Sequence, residues 1–122
     1  MSEDIGKMVV VLNHDDAQSV MAALVMAASI ATSGEEVFMF FQPGAAKVLV
    51  KGELEKFQGL KGQPDPLHLY ESIQVLDGRI ILCELGMPIH DINAEDLREG
   101  VEIMMASTFM FEIEGASLAF SY

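Results

Sequence analysis

The chain has 122 residues, 51% of them apolar, and 7 Lys+Arg against 19 Asp+Glu give a formal net charge of −12. The length fits one domain, 1–122, and the apolar share excludes a disordered linker. The acids are spread over both halves of the chain, and such a field repels phosphate backbones and anionic lipid, so neither nucleic acid nor a membrane is expected as a partner.

No apolar run approaches the ~20 residues needed to span a bilayer, and Met1 to Lys7 does not read as a cationic then apolar leader, so a cytoplasmic protein is expected. Met8 to Leu12 is a short apolar run rich in Val, a strand buried on both faces, and it stops at the polar cluster Asn13, His14, Asp15, Asp16. Asp15 with Gln18 fits a capping box for a helix running to Thr32, with Gly34 as its stop. The apolar positions of this helix are too broad for one face, which predicts packing against the sheet and a further neighbour.

Val37 to Phe41 is a second strand, and Gln42-Pro43-Gly44 opens a short helix over Ala45 to Val50 that ends near Gly52. Gly59 to Pro66 carries turn residues without periodicity and reads as a mobile loop, a candidate lid. Asp65 can cap a helix with Pro66 at its first position, and Gly78 ends it. Arg79 to Glu84 is the third strand, Gly86-Met87-Pro88 breaks the chain, and Asn93 can cap a turn through Leu97. Val101 to Met105 is a fourth strand, Ser107 a cap for a last helix to Glu114, and Ser117 to Tyr122 a fifth strand. Alternating strands and helices predict an α/β fold: a three-layer α/β/α sandwich on a mostly parallel five-stranded sheet.

In such sheets the carboxyl ends of the strands share one edge, and sites gather there. That edge collects Asn13, His14 and Asp15 after strand one, Gln42 after strand two, and Cys83, Glu84, Gly86, Met87 and His90 at and beyond the end of strand three. Cys83 is the single cysteine, which makes an internal disulfide impossible and a structural zinc site unexpected. Two readings of it stay open. It continues the apolar strand Ile80-Ile81-Leu82 and could be a buried small hydrophobe; or, before a loop and a candidate helix N-terminus, it is a sulfur nucleophile, with Glu84 opposing that charge and His14 or His90 as candidate partners. His14 has its own plain reading as a polar residue beside a helix cap and His90 as a solvated loop residue, as Asp15 and Asp16 have as caps.

No His-x-x-x-His or Cys-x-x-Cys spacing occurs, so no metal is expected. No Gly-x-Gly-x-x-Gly or Gly-x-x-x-x-Gly-Lys occurs either, so no nucleotide cofactor is expected, and no other cofactor is. The nine methionines read as core or interface filler. The apolar surplus in the first helix and in Met104 to Phe111 predicts a homo-oligomer.

Several features together resemble the DsrE/DsrF-like sulfur-relay family, some members of which are labelled peroxiredoxin-like. They are the strand Met8 to Leu12 with its polar turn and Ala/Met-rich helix, the strand Val37 to Phe41, Cys83 closing the third strand, and the tail from Leu97-Arg-Glu-Gly-Val to Glu114-Gly-Ala-Ser-Leu-Ala-Phe. The resemblance covers almost the whole chain. It implies an α/β/α sandwich assembled as a trimer or hexamer, in which Cys83 matches the strand-end cysteine that takes sulfane sulfur as a persulfide from a donor protein and passes it to an acceptor. The chain lacks the second cysteine near the C-terminus that some members use, and other members are structural subunits. The alternative expectation is therefore a non-catalytic oligomeric or partner-binding subunit. A thiol peroxidase is a weaker third, because no Ser or Thr stands near Cys83 in sequence and Arg79 lies at the far end of its strand.

Overall fold

The computed structural model describes residues 6–122; residues 1–5, part of the segment read for a leader, lie outside them. Five strands form one sheet: β1 Lys7–Leu12, β2 Glu36–Phe41, β3 Arg79–Cys83, β4 Val101–Met104 and β5 Leu118–Ser121. Every pairing is parallel, and the order across the sheet is β4-β3-β2-β1-β5. Four helices accompany them: α1 Ala17–Thr32, α2 Pro66–Val75, the single turn α3 Gly86–Ile89, and α4 Ala106–Glu112. The 3-10 helices Pro43–Leu49, Leu54–Phe57 and Ala94–Asp96 fill the connections.

The strand order explains how the layers are filled. Parallel strands need crossovers, and crossovers are right-handed in nearly all proteins. From β1 to β4 the chain steps in one direction, so those three connections fall on one face. The return from β4 at one edge to β5 at the other reverses direction, and its connection falls on the opposite face. Burial follows this division. Val10, Leu12, Met39, Phe41, Ile80 and Leu82 share one core with α1, α2 and the 3-10 helices. Val9, Phe38, Phe40, Ile81 and Cys83 face the other way, against Phe109 of α4.

The two outer layers are unequal in depth. Helix α1 buries eight side chains, Val20, Met21, Ala23, Leu24, Ala27, Ala28, Ile30 and Ala31, by packing on β1, β2 and α2. Its breadth of apolar positions is thus used within the chain, as a helix with two packing neighbours requires. Helix α4 buries only Phe109, whose ring stacks on Phe40 with centroids 4.1 Å apart.

Local boundaries differ from the sequence reading where side chains choose between adjacent candidates. Asp16, not Asp15, caps α1: its carboxylate accepts from the Ser19 backbone N–H at 3.0 Å. That bond holds the Asp16 carboxyl below the usual aspartate range, with His14 adding a small coulombic effect. Met105 rather than Ser107 precedes α4, which starts as soon as β4 ends. The helix after Pro43 is 3-10, and a further 3-10 turn at Leu54–Phe57 lies where no element is predicted. Asp65 does cap α2, accepting from Leu67 N–H at 2.9 Å, with Pro66 at the first position.

No described helix is long and apolar enough to cross a membrane.

Candidate functional site

In an open α/β sheet, a crevice forms outside the carboxyl ends of two adjacent strands whose following connections leave to opposite faces. Here those strands are β3 and β4. After β3 the chain turns onto the Leu82 face: Gly86 packs against Ala46, Pro43 and Leu82, close enough that a Cβ there would lie 2.8 Å from the Ala46 methyl. After β4 the chain turns onto the other face as α4. The residues at this divide are Cys83 and Met104, paired in register, with the Glu84 N–H donating to the Met104 carbonyl at 3.0 Å.

Side chains alternate along a strand, so Cys83 points away from Leu82 and into the core beneath α4. It is 4% exposed, among Phe40, Ile81 and Phe109, with Val11, Met104, Ile113 and Ala116 partly buried around it. Clefts elsewhere among the described residues are lined by other side chains and do not include Cys83. The site is a covered thiol, while the rim just outside it is exposed through Glu84, Leu85 and Met105.

The remaining sequence candidates divide by strand position and face. Phe41 pairs with Leu82, so Gln42 stands next in register beside Cys83, half-buried. Glu84 adjoins it in the chain. Asn13, His14 and Asp15 follow β1, two strand spacings away, about 9.5 Å. His14 and Asp15 are exposed, and Asn13 is engaged elsewhere, its Oδ1 accepting from the Gly44 N–H at 3.0 Å and its own N–H donating to Tyr122 O at 2.8 Å. Gly86 and Met87 belong to the Leu82 face. His90 does too: its Nε2–H donates to the Pro43 carbonyl at 2.7 Å, and it lines a cleft of about 310 Å³ with Lys47, Glu53, Asp91 and Asp96. Along the sheet edge Gln42 and Glu84 thus stand next to Cys83 in register and in chain, His14 follows a strand two places away, and His90 is bonded on the Leu82 face. The single-turn α3 sits on the opposite face from the Cys83 side chain, so the helix N-terminus expected to stabilise its sulfur is not aimed at it.

The loop 59–66, expected as a lid, lies on the α1 side of the sheet, where Gln63 shares a cleft with Met21, Val25 and Tyr122. What covers Cys83 is α4, whose role was not legible because it depends on strand order. The far end of α4 is tied to the start of β3. Arg79 bonds Glu102 with Nε at 2.9 Å and Nη2 at 2.6 Å, and reaches Glu112 of α4 with Nη1 at 2.7 Å. The Arg79 guanidinium holds the Glu102 carboxyl below the usual glutamate range, and Arg79 is itself pushed above its ordinary value, first by the bond to Glu102. Lys7 Nζ donates to the Glu112 and Glu114 carbonyls at 3.4 and 3.2 Å. Among the described residues, no His, Cys, Asp and Glu side chains are grouped as a metal ion would need.

No protein-family model matches this sequence, and no curated protein matches it. Solved structures do. The chain is similar to the YchN protein from E. coli, with a TM-score of 0.78 and 18% identity over 97% of this chain and 100% of that one. It is also similar to MTH1491, a protein of unknown function from Methanobacterium thermoautotrophicum, with a TM-score of 0.74 and 12% identity over 96% and 99% of the two chains. At these identities the likeness is one of fold, spanning nearly the full length of each partner.

Proposed function

We propose that this chain, whose fold is that of YchN, is a DsrE-like sulfur carrier that holds sulfane sulfur on Cys83. The observation that carries the reading is the seat of the chain's single cysteine at the carboxyl end of β3, where the connections after β3 and β4 part to opposite faces. In the reaction the Cys83 thiolate attacks the outer sulfur of a donor persulfide; one S–S bond forms, one breaks, and the donor leaves as a thiolate. An acceptor thiolate then attacks the outer sulfur of the Cys83 persulfide and releases Cys83. No net oxidation occurs and one thiol per subunit suffices. Gln42 and Glu84, beside Cys83 in register and in chain, are the polar groups available to orient a donor. A reducing cytoplasm, where a lone thiol stays free, fits this chemistry.

Incubation with a low-molecular-weight persulfide is expected to add one or more sulfur atoms to the intact mass. Reductant should remove the gain, and Cys83→Ser should not show it. Absence of any gain in a folded protein whose thiol alkylates only after denaturation would leave the second reading, a non-catalytic subunit. The burial of Cys83 at 4% exposure favours that second reading.

The same proposal makes the protein a homo-oligomer. Met105, Met110 and Phe111 on the outer side of α4 and Leu118 on the edge strand β5 stay exposed, Phe111 at 77%, while the apolar breadth of α1 is consumed internally. Light scattering after size exclusion is expected to give a mass above one chain, and Phe111→Glu to lower it. A wild-type monomer at tens of micromolar would sink this part of the reading.

A further inference from the structure

Helix α2 carries Leu67, Tyr70, Glu71 and Gln74 on one face, at the three- and four-residue spacings of neighbouring turns, and all four line a cleft of about 290 Å³. The other wall is a short antiparallel clamp: Val50 bridges Leu97, the Lys51 N–H donates to Asp96 O at 2.9 Å, and the Arg98 N–H donates to Leu49 O at 3.0 Å. The clamp brings Lys51, Arg98 and Glu99 to the same cleft. Tyr70 and Leu97 belong to the core shared with α1, so the cleft lies on the face opposite Cys83 and α4 and apart from the surface on which the homo-oligomer is proposed to form.

Two buried donors here lack acceptors. Tyr70 is 4% exposed, and its hydroxyl finds no hydrogen-bond partner among the described residues. Neither does Arg98 Nε, although Nη2 of the same guanidinium bonds Glu55 and its central carbon lies 5.7 Å from the centre of the Tyr70 ring. Buried polar groups in folded proteins are paired in the great majority of cases, so both atoms call for a partner. Burial pushes the Tyr70 hydroxyl up to about 12, against the opposing Arg98 charge, so it keeps its proton and can donate. Arg98 Nε can only donate. The group that suits both is an acceptor oxygen. At the mouth the charge is of the other kind. Glu71 and Glu99 are exposed there beside Lys51, whose Nζ is held by the Glu95 carbonyl at 2.9 Å. Glu55 already offsets the Arg98 charge, and that bond holds the Glu55 carboxyl below the usual glutamate range. A dianion such as phosphate therefore meets two carboxylates and a guanidinium already engaged. A molecule with a carboxylate inward and an ammonium outward meets complementary groups at both ends.

We propose that this cleft binds a small zwitterion of the α-amino acid class, its carboxylate accepting from the Tyr70 hydroxyl and Arg98 Nε–H and its ammonium facing Glu71 and Glu99, with Leu67 as the apolar wall. Both donors are shielded from bulk water, and the ligand reaches them as the long side chains of Lys51 and Gln74, which line the same cleft, swing aside. The volume stands near the lower end of the roughly 300–1,000 Å³ of small-molecule pockets, which suits a ligand of this size rather than a nucleotide. The inference is independent of Cys83 and of the carrier reading.

The test is an NMR titration of the full chain that follows the Arg98 Nε–H signal, with L-alanine, acetate and inorganic phosphate as probes at equal ionic strength. L-alanine is expected to shift the signal saturably at millimolar concentration, acetate to bind about 2- to 5-fold more weakly, as for loss of an exposed ion pair, and phosphate not to saturate. Glu71→Gln is expected to narrow the gap between L-alanine and acetate. Tyr70→Phe keeps the ring and removes only the hydroxyl. It is expected to weaken L-alanine about 10-fold, the scale of one hydrogen bond to a charged group, and to leave the unfolding midpoint of the ligand-free protein unchanged or higher, because no bond within the chain is lost. No saturable shift with L-alanine, or a shift that Tyr70→Phe leaves as it was, overturns the site. A lower ligand-free midpoint for Tyr70→Phe without any effect of L-alanine assigns the hydroxyl to an ordered water and also overturns it. Equal binding of acetate and L-alanine that ignores Glu71→Gln, or tightest binding by phosphate, overturns the zwitterion.

Discussion

Gly44→Ala is expected to destabilise the protein by more than about 3 kcal/mol, beyond the usual range for an added methyl group, because nothing at that point can yield. A Cβ on Gly44 would stand 2.0 Å from the Asn13 backbone oxygen and 2.8 Å from its Oδ1. Asn13 is fixed from both sides, its N–H donating to Tyr122 O and its side chain accepting from the Gly44 N–H. The substitution thus pushes on the carboxyl ends of β1, β2 and β5 together, since Gln42 N–H also donates to Leu12 O at 2.9 Å. Gly52→Ala is the control. It sits at φ +86 with nothing within 4 Å of an added Cβ, so only the backbone cost of about 1–2 kcal/mol applies. Urea unfolding at one protein concentration measures both; equal losses would contradict the contact at Asn13.

Phe41→Ala is expected to cost about 3–5 kcal/mol, and Phe111→Ala less than about 0.5 kcal/mol. Phe41 is 1% exposed on the face packed by α1, paired with Leu12 on one side and Leu82 on the other. Its removal leaves a cavity lined by strands that cannot close over it. Phe111 projects from α4 and covers nothing within the chain. The contrast is read from the midpoints of denaturant unfolding with the slope unchanged, at a concentration below any assembly transition. A large loss at Phe111 under those conditions would mean that α4 packs more deeply than its single buried residue indicates.

Particular residues show where sequence reasoning succeeds and stops. Lys7 to Leu12, Glu36 to Phe41 and Arg79 to Cys83 are legible as strands because a central parallel strand is buried on both faces and so reads as an unbroken apolar run. Pro66 after Asp65 marks the start of α2 because a fixed φ and a carboxylate cap are local requirements met by adjacent residues. Cys83 is legible as a strand-end residue for the same local reason. The choice between Asp15 and Asp16 as a cap is not, since adjacent carboxylates differ only in which one the turn aims at the Ser19 N–H. The site's surroundings are less legible still. Asn13, His14, Asp15, Gln42 and His90 all fall at the carboxyl edge, yet which of them stands near Cys83 depends on how many strands intervene and which face each connection takes.

The amino-acid sequence by itself determined the α/β class, the number of strands and the position of the one thiol at a strand end, because alternation of apolar runs with capped amphipathic segments is a property of neighbours along the chain. The tertiary structure alone decided that β4 lies beside β3 and β5 beside β1, that α4 therefore crosses the face opposite α1, and that Cys83 shares a buried cluster with Phe109. Those facts follow from the direction in which right-handed crossovers step across the sheet, a relation between segments far apart in sequence that no local pattern encodes.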